Sequence, residues 1–246
     1  MVEVKRYGRS EGKKVVVLHG VPVPPESVET ITERLAEEYR VYVVDYCAVG
    51  LRPRETRQQI EVRLAEAGVT SAAVVGHSMG AYHAFGLAIG GELEVRAIAA
   101  VGSLAYLPQE VAAGYEELAQ GIEAGVVDLV EVLKGQWFST AYLEASAEVE
   151  GRLRRWFEAI GDEGLCRAAR VECMGQDLRP RLAEIEAPVQ LQVGALDEAT
   201  PPAWSEEIAD LLPRASLEVV EGVGHFPHME APEATLREIR SFLADH

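Results

Sequence analysis

The sequence predicts an α/β fold in which a mostly parallel sheet is flanked by helices and carries an inserted helical cap. Three observations predict it. Short apolar, β-branched runs recur along the chain, each bounded by Gly, Asp or turn residues. Amphipathic stretches separate them, so strand and helix alternate and the sheet is expected to be parallel with right-handed crossovers. The alternation stops near Ser103 and resumes after Pro188, with a strand-free, glycine-punctuated stretch between.

In chain order, Val2–Tyr7 alternates Val with charged residues and fits an edge strand. Val15–Leu18, Val41–Asp45, Ala72–Gly76, Val95–Val101, Val189–Gly194 and Leu217–Val220 are continuous apolar runs, as strands covered on both faces require. Glu26–Tyr39, Thr56–Glu66, Ser78–Ile89, Ala203–Leu212 and Pro232–Leu243 read as helices. Thr200 before Pro201, and Pro232, mark helix starts, where a missing N–H costs little. Between Ser103 and Gln176, helical segments are broken at Gly114, Gly121, Gly125, Gly135, Gly151, Gly161 and Gly164. The expected organisation is one sheet domain, residues 1–102 and 177–246, with residues 103–176 as the cap.

The 246 residues are 48% apolar, the globular norm, and carry a net charge of −17. An acidic surface repels phosphate backbones and anionic lipids, so nucleic-acid and membrane partners are not expected. No run approaches the ~18 apolar residues that span a bilayer. Met1–Ser10 has no apolar signal core. Cys47, Cys166 and Cys173 cannot all pair and are read as free thiols, which places the chain in the cytoplasm.

The strongest chemical signal is Gly76-His77-Ser78-Met79-Gly80, which follows an apolar run and opens an amphipathic stretch. That is the strand–turn–helix setting of a nucleophile elbow. The serine stands on a strained turn, its neighbours two residues away must be small, and the helix N-terminus directs N–H groups at developing negative charge. A serine hydroxyl needs a base, and the base an orienting acid. Asp197, just after a predicted strand, is the acid candidate, with Glu198 as its rival and a turn or capping role as the plain alternative. His225, after the last strand, is the base candidate. His228 suggests a surface or structural role, and His77, beside the serine, and His83 suggest packing roles or support of the residues around the site. His19-Gly20-Val21-Pro22 follows Val15–Leu18 and offers a second oxyanion donor, so the backbone N–H groups of Val21 and Met79 form the expected pair. His19 is expected to hold that loop by hydrogen bonds, and His19, Gly20 and Trp137 are the candidate pocket residues. No metal-ligand spacing or phosphate-cradling loop occurs, so no cofactor or metal is expected.

These motifs together resemble the α/β-hydrolase superfamily over nearly the whole chain, including the order Ser, Asp, His. The C-terminal half resembles a narrower group, the 3-oxoadipate enol-lactonases and related small carboxylesterases. That resemblance rests on Asp177-Leu178-Arg179-Pro180-Arg181-Leu182, Ile185-Glu186-Ala187-Pro188 and Asp197-Glu198-Ala199-Thr200-Pro201-Pro202. Gln136-Trp137-Phe138 and Gly164–Ala169 match more weakly. It implies Ser78, His225 and Asp197 as a triad that cleaves a small-molecule ester or lactone. The chain departs from the group after Asp45, where Tyr46-Cys47-Ala48-Val49-Gly50 replaces an Arg-Gly-x-Gly-x-Ser type of loop.

Carboxylesterase is the leading expectation. Lactonase, cofactor-free perhydrolase, C–C bond hydrolase and a non-enzymatic ligand receptor on the same frame are alternatives. Arg152, Arg154, Arg155, Arg167 and Arg170 crowd the cap. They are read either as a clamp for a substrate carboxylate or as a solvated face paired with Glu148, Glu150 and Glu158.

Overall fold

The computed structural model describes residues 2–47, 50–172 and 175–246, the side chains of 171 and 172 excepted. Seven strands form one sheet: β1 (Glu3–Gly8), β2 (Lys14–Leu18), β3 (Arg40–Asp45), β4 (Ser71–His77), β5 (Glu94–Val101), β6 (Val189–Gly194) and β7 (Ala215–Val220). Their order is β1-β3-β2-β4-β5-β6-β7. The edge strand β1 runs antiparallel to β3, and the other pairs are parallel.

Successive strand side chains point to opposite faces, which sorts each apolar run into two cores. Val16 and Leu18, Val74, Ile98 and Leu191 face α2 (Pro53–Glu66), α3 (Met79–Gly90) and α9 (Pro202–Leu211), where Ile60, Leu64, Phe85 and Ile208 complete the packing. Val15 and Val17, Val41, Val75 and Ala99 face α1 (Glu29–Ala36) and α11 (Pro232–Ala244), against Ile31, Leu35, Leu236, Ile239 and Leu243. Both faces are dry, which is why these runs are continuous rather than alternating in polarity.

The helix boundaries shift where proline sets them. The stretch predicted from Glu26 starts as a 3-10 turn at Pro25–Val28 before α1 begins. Pro53 opens α2 three residues ahead of the predicted Thr56, and Pro201 stands at the N-cap of α9. A four-residue helix, α10 (Pro227–Glu230), is too short for periodicity to reveal.

Between β5 and β6 the chain runs through α4 (Gln109–Glu123), α5 (Leu129–Trp137), α6 (Thr140–Ala145), α7 (Val149–Ile160) and α8 (Asp162–Glu172). On α7, Val149, Leu153, Trp156 and Phe157 recur at helical spacing and are buried. They join Leu129, Leu133, Trp137 and Leu165 in a third apolar cluster. Phe226, from the loop after β7, enters the same cluster, its ring stacked on Phe138 at 5.0 Å. The helices therefore dock onto the sheet through the residue next to His225.

Candidate active site

Ser78 is the junction between β4 and α3. It takes φ 54°, ψ −120°, the only positive φ at a non-glycine position among the described residues. Such backbone costs of order 1–3 kcal/mol and persists only where its surroundings impose it. Here they do. Ser78 N–H donates to Val101 O of β5 at 2.9 Å. A Cβ on Gly76 would stand 2.5 Å from the Gly80 carbonyl, and one on Gly80 would stand 2.2 Å from Leu18 O. Both glycines are needed for the chain to turn this tightly beside β2.

Asp197 lies three residues past β6 and is buried. Its Oδ1 accepts from Ala199 N at 2.9 Å and Thr200 N at 2.8 Å. Its Oδ2 accepts from the Thr200 hydroxyl and from His225 Nδ1, each at 2.8 Å. Two backbone amides and a hydroxyl thus hold the Asp197 side chain in place against the imidazole. Glu198, the rival acid, is exposed.

His225 is fixed at both backbone ends. Its N–H donates to Trp137 O at 2.7 Å, and its carbonyl accepts from His77 Nε2 at 2.9 Å. With Nδ1 hydrogen-bonded to Asp197, the ring turns its Nε2 to the other side, where it takes no hydrogen bond from the described residues. Below the ring, Gly102 follows β5 at φ 55°, and a Cβ there would stand 3.0 Å from His225 Nδ1.

Ser78, His225, Met79, Val21 and Gly20 line one cavity, together with Trp137. It holds about 670 Å³ of atom-free space with its open mouth included, and only about 40 Å³ of this admits the centre of a water molecule. The site is a narrow slot. Met79 is the first residue of α3, so its N–H has no acceptor within the helix.

His19, a predicted pocket residue, does not line this cavity. It is fully buried behind the wall, with Nδ1 donating to Gly20 O at 2.6 Å. Tyr46 stacks on its ring at 4.3 Å and donates its hydroxyl to His19 O. The small residue Gly20 leaves the cavity wall to His77 and Ser78, and a Cβ there would stand 3.1 Å from His77 Nδ1.

His228, for which a surface place was one reading, is fully buried, and its Nε2 donates to Ser27 O at 2.9 Å. Burial pushes its pKa down to about 4, and burial likewise holds His77 well below the imidazole norm. Both are neutral spacers packed against Phe226, 5.6 and 4.5 Å away.

Three of the five cap arginines are paired, but not with the expected acids. Arg154 meets Asp128, Arg167 meets Glu163, and Arg170 meets both Glu116 and Glu123. Cys47 and Cys166 are buried, and Cys173 lies outside the described residues, as do Ala48 and Val49. Among the described residues no group of His, Cys, Asp or Glu is placed to hold a metal ion. Among the described residues no helix is long and apolar enough to cross a membrane.

Three contributors had no signal in the sequence. Thr200 was readable only as a helix start, His77 as packing or support beside the serine without its partner, and Glu230 only as one acid among many. Glu230 accepts from Gly224 N at 3.0 Å, beside His225.

A doubly wound sheet, a serine on a strained strand–helix turn and a carboxylate-held histidine define an α/β hydrolase. Residues 15–238 match the alpha/beta hydrolase family, and the chain belongs to it. It is 24% identical over 246 residues to a pimeloyl-acyl-carrier-protein methyl ester esterase of Aliivibrio fischeri, covering 96% of this chain and 95% of that enzyme. It is 28% identical over 113 residues to 3-oxoadipate enol-lactonase 2 of Acinetobacter baylyi, a stretch of 46% of this chain and 41% of that enzyme. A malate-bound thermophilic esterase from Thermogutta terrifontis shares the fold at a TM-score of 0.89 and 22% identity, over 99% of this chain and 93% of the other.

Proposed function

We propose that the protein is a serine hydrolase that cleaves small carboxylic esters through an acyl-enzyme. One observation carries the reading: the strained Ser78 and the Asp197-held His225 open into one slot. In this mechanism His225 Nε2 takes the Ser78 proton as Oγ attacks the ester carbonyl. Asp197, already hydrogen-bonded to Nδ1–H, stabilises the imidazolium that forms. The N–H groups of Met79 and Val21 receive the oxyanion. Collapse expels the alcohol, protonated by His225, and water activated by the same nitrogen releases the acid. Residues 103–176 act as the cap that narrows the slot. The free, buried thiol of Cys166 fits a reducing compartment such as the cytoplasm.

Lactone opening by the same steps is the second reading, favoured by the similarity to 3-oxoadipate enol-lactonase 2. A p-nitrophenyl ester and an organophosphonate probe test the central claim. Wild-type protein should give a burst of p-nitrophenolate and become labelled at Ser78. Ser78→Ala should lose about 10⁶-fold in kcat. A variant that keeps more than about a tenth of the turnover would refute the assignment.

A further inference from the structure

We infer that the slot selects acyl groups without charge and rejects esters whose acyl chain ends in a carboxylate. This rests on the hydrolase reading and names the substrate class for the same site.

The wall beyond Ser78 is apolar and aromatic. Leu104, Leu107, Tyr115, Trp137 and Trp204 line it, and no lysine or arginine does so among the described residues. Ala48, Val49, Cys173 and Met174, which lie outside the description, are uncharged residue types. The nearby cations are paired or stand outside the lining. Arg170 is held by Glu116 and Glu123. Arg179 lies over the Tyr106 ring at 3.9 Å and pairs with Asp177 and Glu207. Arg57 sits over the Tyr82 ring, 5.4 Å from its centroid, and does not line the slot.

The two acids beside the slot stand behind its lining: Asp197 is buried against His225, and Glu230 lies behind Gly224. A terminal carboxylate in the slot would lose its water and find no cation on the wall to replace it, within a chain of net charge −17. A neutral chain of the same length would lose only apolar surface to Trp137 and Trp204, which is favourable.

Matched substrates test this: p-nitrophenyl butyrate against mono-p-nitrophenyl succinate, with the same leaving group and a four-carbon acyl chain in each. Wild-type kcat/KM should favour the butyrate by about 100-fold or more at low salt. Binding of ethyl butyrate and monoethyl succinate to Ser78→Ala, followed by calorimetry, reads the preference without turnover, and ethyl butyrate should bind at least about tenfold tighter. Equal or better use and binding of the succinates overturns the selection while leaving the hydrolase reading intact. Preferential binding of ethyl butyrate, with neither ester hydrolysed by wild type, supports the selection and overturns the hydrolase reading instead.

Discussion

One oxygen of the Glu230 carboxylate accepts both the backbone N–H and the hydroxyl of Ser139, at 3.1 and 2.6 Å. The other oxygen accepts Gly224 N–H, so a single side chain ties the α5–α6 junction to the loop that carries His225. Burial raises the Glu230 pKa, while these donors hold it back. Glu230→Ala leaves two backbone donors and a hydroxyl unmatched, at about 1–3 kcal/mol for each buried group. Thermal melts should show Tm lower by roughly 5–10 °C. Ester kinetics on the folded variant should show kcat falling more than KM rises.

Thr200 supports the acid from the other side. Its hydroxyl donates to Asp197 Oδ2 and lies 3.2 Å from His225 Nδ1. Thr200→Val keeps the volume and removes the donor. Hydrogen bonds to charged groups contribute about 1.5–3 kcal/mol, so kcat should fall about tenfold with the acyl-enzyme still detectable by mass spectrometry. Unchanged kcat would assign Thr200 to helix initiation alone.

The strained turn trades stability for an exposed hydroxyl. Ser78→Gly removes the positive-φ strain and, after the extra backbone entropy of glycine, should gain about 1 kcal/mol. That corresponds to roughly 3 °C in Tm for a chain of this size, with hydrolysis abolished.

The glycines flanking the serine behave oppositely to one in the cap helices. Gly80→Ala drives a methyl into the backbone of β2 and should cost about 3 kcal/mol or more, seen as loss of soluble protein. Gly114→Ala, in α4 with nothing within 4 Å, should instead stabilise by about 0.5–1 kcal/mol.

Acid should unfold the protein partly through its buried imidazoles. An unfolded chain protonates His228 near pH 6.5, whereas the folded chain resists to about pH 4. Between those values the unfolded state holds the extra proton, so stability falls as pH drops through the window, by about 3 kcal/mol at its foot. His77 acts in the same direction, and Glu230, with its raised pKa, opposes both. Urea titrations at several pH values across the window should show a shallower acid loss for His228→Gln than for wild type.

The central strands were legible because two-sided burial writes itself as runs such as Val15–Leu18 and Val189–Gly194. The serine, acid and base candidates were legible because strand ends and small residues flank them. What escaped depends on contacts between segments far apart in sequence. Glu230 meets Ser139 across ninety-odd residues, and His77 meets the His225 carbonyl across 148. His228 pairs with Ser27 in the first helical turn region, 201 residues away, which no local pattern announces. His19 followed a strand as expected, but its side-chain direction was set by stacking on Tyr46.

Gly102, the first residue after β5, puts a Cβ-free floor under the His225 ring, and from it the chain leaves the sheet toward the helices. The exit therefore doubles as part of the imidazole's seat. Chimeras that exchange the helical segment with a relative can vary its shape freely only downstream of this residue. A crossover placed one position earlier, importing any side chain at 102, would press on the ring and dislodge it from its carboxylate.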